Sequence, residues 1–202
     1  EKTGQEDIES LAKYHKSISA FMLPKIETSS LIANLPSINV IALLETPISI
    51  KNISDIAAEE KVVGLALGGA DLSASLGSTM DWDALLYSRS KIVQEAAINN
   101  LFTIDSPFME ISESLALEEE STRSKNLGFN GKAAIHPSQI EIIKNSFLPS
   151  LDELDEAKEI IKAFNESSSA VIAFKGRMID LPIVLSMEKR LRLVGIDPKN
   201  ID

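Results

Sequence analysis

The stretch VIALLETP at residues 40–47 contains the pattern that decides the fold. Its first five residues are all apolar, as expected for a strand of a parallel sheet that is covered by helices. Glu45 follows this run directly, and the Thr-Pro pair after it ends the strand. Because barrel enzymes build their active sites at the carboxyl ends of the strands, a carboxylate here is placed for metal-assisted chemistry.

Four further short apolar runs repeat this pattern along the chain. Helical patterns separate them, with apolar residues three and four positions apart, over residues 6–20 and 81–99. This alternation predicts a parallel sheet joined by helical crossovers. We predict its strands at residues 21–26, 40–46, 62–68, 101–105 and 132–135.

Two α/β architectures accommodate five such strands. One is a (β/α)8 TIM barrel, which needs eight strands over ~250 residues. The other is an open, doubly wound sheet, but the chain has neither the G-x-G-x-x-G fingerprint nor a Walker A pattern. The chain begins at Glu1 inside a helical pattern, so we expect an N-terminally incomplete barrel with about five strands.

The end of the chain differs in character from the barrel repeats. We predict a partial barrel over residues 1–166 and a C-terminal arm over residues 167–202, with a polar hinge at 167–169. Within the arm the pattern predicts a strand over 170–174, a turn over 175–177 and an amphipathic helix over 182–194.

Composition excludes several classes of function. The net charge of −10 argues against nucleic acid, which needs clustered Lys and Arg, and against an anionic membrane surface. The absence of Cys excludes disulfides, thiolate nucleophiles and zinc–thiolate sites. No apolar run approaches the ~20 residues of a membrane span, and no secretory signal is visible, so we predict a cytoplasmic location.

A second carboxylate, Asp71, follows the next apolar run and its two glycines. Taken singly, Glu45 could cap a helix or pair with a Lys, and Asp71 could be a helix N-cap. On successive strands, however, their oxygens could converge on one hard cation. Mg²⁺ is usually held by one or two carboxylates with water and substrate oxygens, and Mn²⁺ accepts similar ligands. Such an ion would polarise a carbonyl and stabilise an enolate.

Four other polar residues are candidates for a role at the site. His136, before Pro137, could be a general base, but we favour a structural hydrogen bond to a neighbouring loop. Lys25 and Lys132 could supply positive charge at the barrel mouth or be solvated. Arg89 lies within a predicted helix, where a buried ion pair is the ordinary interpretation.

Six segments, in this order and spacing, resemble the citrate lyase beta-subunit family within the wider HpcH/HpaI aldolase group. The resemblance covers almost the whole chain. It implies a barrel of the phosphoenolpyruvate-binding type and a lyase that breaks or forms a carbon–carbon bond in citryl-, malyl- or citramalyl-type thioesters. The segments lie at residues 23–27, 42–47, 68–72, 85–90, 104–108 and 128–139.

The resemblance also implies roles for individual residues and a set of partners. The partners would be a keto acid, a thioester of coenzyme A or of an acyl-carrier protein, and further copies of the chain, with a trimer favoured. Asp180, in the arm, would act as acid or base in the site of a neighbouring subunit. Glu45 and Asp71 would bind Mg²⁺, and the substrate would be bound by Thr46, Pro47, Gly68, Gly69 and Ala70.

Two departures from the family pattern shape the expectations. Many citrate lyase beta subunits have Glu at the position of Ala70. Ala at this position is closer to malyl-CoA lyase relatives. The family's first three strands, with an acidic pair and an Arg that grips the keto acid, have no counterpart, so we expect little or no activity if this is the whole chain. The alternatives are a catalytically impaired remnant that serves as a subunit or binding module, and an aldolase acting on free keto acids.

Overall fold

The computed structural model describes residues 17–201 together with residues 6, 10, 11 and 14. Most of the helix predicted over residues 6–20 therefore lies outside the described residues. The chain divides into two compact units, residues 1–143 and residues 144–202. No helix in the described part of the chain combines the length and apolar character that crossing a bilayer requires.

The N-terminal unit is built on one sheet of five parallel strands, which confirms the predicted parallel sheet. The strands are shorter than predicted, most clearly the first, because Pro24 follows it and Lys25 has a left-handed backbone with φ of 55°. They are β1 (Phe21–Leu23), β2 (Val40–Leu44), β3 (Val62–Leu67), β4 (Phe102–Asp105) and β5 (Gly131–Lys132).

The strand order distinguishes between the two predicted architectures. The strands lie side by side in chain order, β1-β2-β3-β4-β5. A doubly wound sheet reverses direction at a switch point, whereas a (β/α) barrel keeps its strands in sequence. The mixed α/β unit therefore has the strand order of a barrel, and the doubly wound alternative is wrong.

Helices connect these strands, as the sequence pattern predicted. The longest is α5, which begins after Asp81. It is followed by its C-cap residue Asn100, which has a left-handed backbone with φ of 55°. The helices are α1 (Ser30–Ala33), α2 (Pro47–Lys51), α3 (Ile53–Ala57), α4 (Gly69–Leu76), α5 (Trp82–Asn99), α6 (Ser114–Leu127) and α7 (Ile140–Phe147), the last preceded by a 3-10 turn (Pro137–Gln139).

The core of this unit brings two strand ends together. Val40, Ala42 and Leu44 alternate along β2 and are fully buried. Burying each larger side chain contributes roughly 1.5–3 kcal/mol, so the register of β2 is strongly specified. That register pairs Leu44 with Leu67 of β3, and the residues that follow the two strands therefore emerge at the same edge of the sheet.

The C-terminal unit packs a β-hairpin with two helices. The hairpin joins β6 (Val171–Phe174) and β7 (Arg177–Asp180) through Lys175 and Gly176, both with positive φ. Strand β7 was not predicted, because its four residues contain no continuous apolar run and form a strand by pairing with β6. The helices are α8 (Leu151–Asn165) and α9 (Leu181–Arg192).

Helix α8 shares one apolar core with the arm. Ile160 and Ala157 of α8 are buried in the same cluster as Ile179 of β7 and Leu191 of α9. The compact unit therefore begins at Lys144 and includes α8. The domain boundary between residues 166 and 167, which assigns α8 to the barrel, stays a prediction.

Candidate metal centre

Glu45 emerges from β2 as a buried carboxylate, with only 4% of its surface exposed. Its Oε1 accepts a hydrogen bond of 2.8 Å from the backbone N–H of Lys25. Lys25 holds a left-handed backbone, which a non-glycine residue rarely adopts. The loop after β1 thus orients one carboxylate oxygen of Glu45, while the side chain of Lys25 is exposed.

Asp71 lies close to Glu45 because of the strand register. Gly68 follows β3 as the N-cap residue of α4, and Asp71 is the third residue of that helix. The interpretation of Asp71 as an N-cap is therefore wrong. Its exposed carboxylate is near enough to Glu45 for its negative charge to raise the pKa of Glu45. The structure thus brings together the two carboxylates that the sequence singled out.

Glycine at position 68 is required by the close approach of Glu45. A Cβ atom added at Gly68 would collide with Glu45 Cβ and lie 2.9 Å from Glu45 Oε2. The neighbouring atoms would have to shift, because the nearest one belongs to the stem of the side chain. Gly68 therefore leaves the space in which the Glu45 carboxylate lies.

Electrostatics at this pair favour a cation. Burial, with the nearby charge of Asp71, raises the pKa of Glu45 although the Lys25 N–H and ammonium oppose the shift. In the part of the chain that the structure describes, neither carboxylate forms an ion pair within 4 Å. Two neighbouring carboxylates with no direct counter-charge are a donor set suited to a hard divalent ion.

The donor set also limits the kind of metal site. Among the described residues, no group of three or more His, Asp or Glu side chains could hold a metal ion. Among the described residues, Glu45 and Asp71 are thus the two candidate protein ligands, and water and substrate oxygens would complete the coordination. This division is typical of Mg²⁺, which keeps several waters in protein sites.

The other predicted substrate-binding residues lie around the pair. Thr46 caps α2: its Oγ1 accepts from the Ser49 N–H at 3.1 Å, and Ser49 Oγ accepts from the Thr46 N–H at 3.1 Å. Pro47 occupies the first turn of α2, where its missing N–H has no cost. Ala70 is exposed in the first turn of α4. Their contacts with substrate stay a prediction.

A buried ion network lies at the end of β4. Arg89 Nε donates to Asp105 Oδ1 at 2.9 Å, which confirms the ion pair predicted for Arg89. Lys132 Nζ lies 3.0 Å from Asp105 Oδ2 and 2.7 Å from Glu120 Oε1, and its side chain is fully buried. The interpretation of Lys132 as a solvated side chain is therefore wrong, and its role as a charge at the barrel mouth stays a prediction.

Asp105 is the centre of this network. Burial alone would raise its pKa, but the charges of Lys132 and Arg89 and the hydrogen bond from Ser124 lower it below the usual value. Asp105 therefore stays ionised between its two cations. Its ionisation makes the network a fixed charge arrangement rather than a proton donor.

His136 and Asp180 each cap a helical segment. His136 is exposed, and its Nδ1 accepts from the Ser138 N–H at 3.2 Å, so its structural hydrogen bond is a local cap and not the predicted bond to a neighbouring loop. Asp180, half-buried in the C-terminal unit, is the N-cap of α9, and its Oδ1 accepts from the Ile183 N–H at 3.4 Å. Its role as acid or base stays a prediction.

Sequence reasoning missed a cavity of about 610 Å³ beside the ion network. Trp82, Phe108 and Arg123 line it, and the guanidinium carbons of Arg89 and Arg123 lie over the Trp82 ring, 4.5 and 4.6 Å from its centroid. These residues come from separate elements, so no local pattern indicated the cavity. The one available signal was Trp82 itself, the single tryptophan of the chain.

Comparison with known proteins places this geometry in context. The family model for HpcH/HpaI aldolase/citrate lyase matches residues 1–137. The citrate lyase subunit beta-like protein of Mycobacterium tuberculosis is 31% identical over 196 residues, covering 94% of this chain and 71% of that protein. The mitochondrial citramalyl-CoA lyase of Homo sapiens is 30% identical over 217 residues, covering 94% of this chain and 64% of that enzyme.

A solved structure shows the same likeness. The crystal structure of CitE from M. tuberculosis, in complex with magnesium, acetoacetate and coenzyme A, superimposes with a TM-score of 0.83. The two chains are 31% identical, and the match covers 94% of this chain and 73% of CitE.

Proposed function

This chain belongs to the HpcH/HpaI aldolase/citrate lyase family, and we propose that it is a Mg²⁺-dependent carbon–carbon lyase. Its substrate would be a citryl-, malyl- or citramalyl-type thioester, cleaved to a keto acid and an acyl thioester. The observation that carries the proposal is the pairing of Glu45 with Asp71 at one edge of the sheet. Two relatives named as lyases support the proposal. The magnesium, acetoacetate and coenzyme A in the CitE crystal structure support it as well.

Glu45 and Asp71 would hold the ion. Bound Mg²⁺ supplies positive charge that polarises a substrate carbonyl, and Mn²⁺ could take its place. The Lys25 N–H keeps one oxygen of Glu45 oriented. The N–H groups that begin α4, at Gly69 and Ala70, would bind a carboxylate or carbonyl oxygen of the keto acid.

Asp180 would move the proton. Cleavage breaks the bond between the hydroxyl-bearing carbon and the α-carbon of the acyl group. The hydroxyl loses its proton as it becomes a carbonyl, and the α-carbon gains one, so no water is added. We assign this transfer to Asp180 of a neighbouring copy in a homo-oligomer, following the family resemblance.

The direct test is calorimetric titration of Mg²⁺ into the wild type and into Glu45→Gln and Asp71→Asn variants. Each variant removes a negative charge while keeping the shape of the side chain, and we expect Mg²⁺ affinity to fall at least about tenfold. Asp55→Asn is the matched control, because Asp55 is an exposed carboxylate on α3. Unchanged affinity in both site variants would remove the two residues as ligands.

Turnover assays separate the alternative functions. We expect cleavage of malyl- or citramalyl-thioesters, with coenzyme A and acyl-carrier protein compared as carriers. Cleavage of free hydroxy acids alone would favour the aldolase alternative. Mg²⁺ binding without turnover of any of these compounds would favour the role of a subunit or binding module.

A further inference from the structure

Ser106 is a buried residue that the proposed reaction does not use. It follows β4 directly and is fully buried. Two cations hold it: Arg89 Nη2 donates to its Oγ at 3.2 Å, and Lys132 Nζ donates to its backbone oxygen at 2.7 Å. Both its side chain and its backbone are therefore fixed by charged donors.

Asp105 anchors the two cations that hold Ser106. One of its oxygens accepts from Arg89 Nε at 2.9 Å, and the other accepts from Lys132 Nζ at 3.0 Å. All three side chains are almost completely buried. Moving either cation would take one partner away from the buried charge of Asp105, so the arrangement resists displacement.

Ser106 packs directly on the turn that carries Asp71. A Cβ atom added at Gly69 would lie 2.9 Å from Ser106 Oγ, 3.0 Å from Ser106 Cβ and 3.3 Å from Leu85 Cδ1. The backbone of Gly69 therefore rests against Ser106 with no room for a side chain. Gly69 begins α4, two residues before Asp71.

We propose that Ser106 is a positioning residue for the metal centre. Arg89 and Lys132 hold it against Gly69, and this contact sets the position of Asp71 relative to Glu45. The inference rests on the proposed function, since it takes Asp71 as a ligand. Because Mg²⁺ demands near-ideal octahedral geometry, a small displacement of this turn weakens binding.

The experiment is a double-mutant cycle with Mg²⁺ alone as the probe and calorimetry as the readout. The variants are Gly69→Ala, Ser106→Gly and the two combined. Gly131→Ala is the matched control, because a Cβ there would meet only Phe102 Cζ at 3.9 Å. Circular dichroism melting of each variant without metal shows whether the chain is folded.

We expect Gly69→Ala to weaken Mg²⁺ binding about tenfold and Ser106→Gly about threefold. In the combined variant the space left by the serine side chain accepts the new methyl group, with a small shift of the Leu85 terminus. Its affinity should return to that of Ser106→Gly alone. The Gly131→Ala control should bind like the wild type.

Wild-type affinity in Gly69→Ala, or a combined variant as weak as Gly69→Ala, would overturn the inference. A wild-type protein that binds no Mg²⁺ would instead overturn the proposed function, and the inference with it. If Gly69→Ala does not fold, Ser106→Ala takes its place. That variant loses the hydrogen bond from Arg89, and unchanged Mg²⁺ affinity would then overturn the inference.

Discussion

At the scale of single residues, the site depends on how closely the backbone of Gly68, after β3, approaches the Glu45 carboxylate, after β2. We predict that Gly68→Ala weakens Mg²⁺ binding by at least about tenfold, because the new Cβ collides with Glu45. The strain should also cost about 1–3 kcal/mol of unfolding free energy. Calorimetry measures the Mg²⁺ affinity and urea unfolding measures the stability, with Gly131→Ala as the control. Equal Mg²⁺ affinity in Gly68→Ala and in Gly131→Ala would contradict the prediction.

Asp180 allows capping to be separated from catalysis. Asn caps helices as well as Asp, so Asp180→Asn should keep the melting temperature while turnover falls about 10²–10⁴-fold. In Asp180→Ala, turnover should fall by the same factor, and the free energy of unfolding should also fall by about 1 kcal/mol. Melting curves and steady-state assays of both variants test this. Wild-type turnover in Asp180→Asn would leave Asp180 with the capping role alone.

At the scale of elements, the ion network joins β4, β5, α5 and α6 through Asp105, Lys132, Arg89 and Glu120. We predict that Asp105→Asn lowers the unfolding free energy by about 3–5 kcal/mol, because it leaves two buried cations short of negative charge. Urea unfolding at neutral pH measures the loss. The exposed-site variant Asp55→Asn should change stability by less than about 0.5 kcal/mol.

The stability difference between the wild type and Asp105→Asn should depend on pH, with a sign that the pKa of Asp105 defines. The pKa of Asp105 is lowered in the folded protein, so its contribution to stability is present above the usual value of 3.8. It is lost as the pH falls through the lower, folded-state pKa. The stability difference between the wild type and Asp105→Asn should therefore narrow only in strongly acidic solution. A difference that narrows between pH 7 and pH 5 would contradict this assignment.

At the scale of the whole molecule, the proposed site needs residues from two chains. In the described part of the protein, β1 and β5 each pair with a single strand, and unpaired strand edges favour association. We predict that the protein is an oligomer, which light scattering can test. A monomer at the concentrations where it is active would contradict the transfer by a neighbouring copy.

Mixing two impaired variants tests the shared site directly. Chains of Glu45→Gln retain Asp180, and chains of Asp180→Asn retain Glu45, so mixed oligomers contain some sites with both residues intact. We predict that a refolded mixture regains part of the wild-type turnover, whereas each variant refolded alone keeps only its residual turnover. No recovery, despite mixed oligomers seen by native mass spectrometry, would place both residues in the same chain's site or remove Asp180 from the mechanism.

The sequence by itself determined the parallel sheet, the helices α5 and α9 and the position of Glu45, because these follow from local patterns. An apolar run such as residues 40–44 predicts its strand, and the residue after the run must lie at the strand end. The sheet register then brings Asp71 to the same edge, as the alternation of strands and helices had suggested.

Only the tertiary structure decided where the long side chains point and which backbones touch. The sequence left open whether Lys132 is a charge at the barrel mouth or a solvated side chain, and the structure shows its buried amino group bound to the backbone oxygen of Ser106, 26 positions earlier in the chain. Strand β7 exists only through pairing with β6, and the contact of Ser106 with Gly69 joins the ends of two different strands. Local propensity carries no information about such partners, since long-range packing and charge pairing select them as the chain folds.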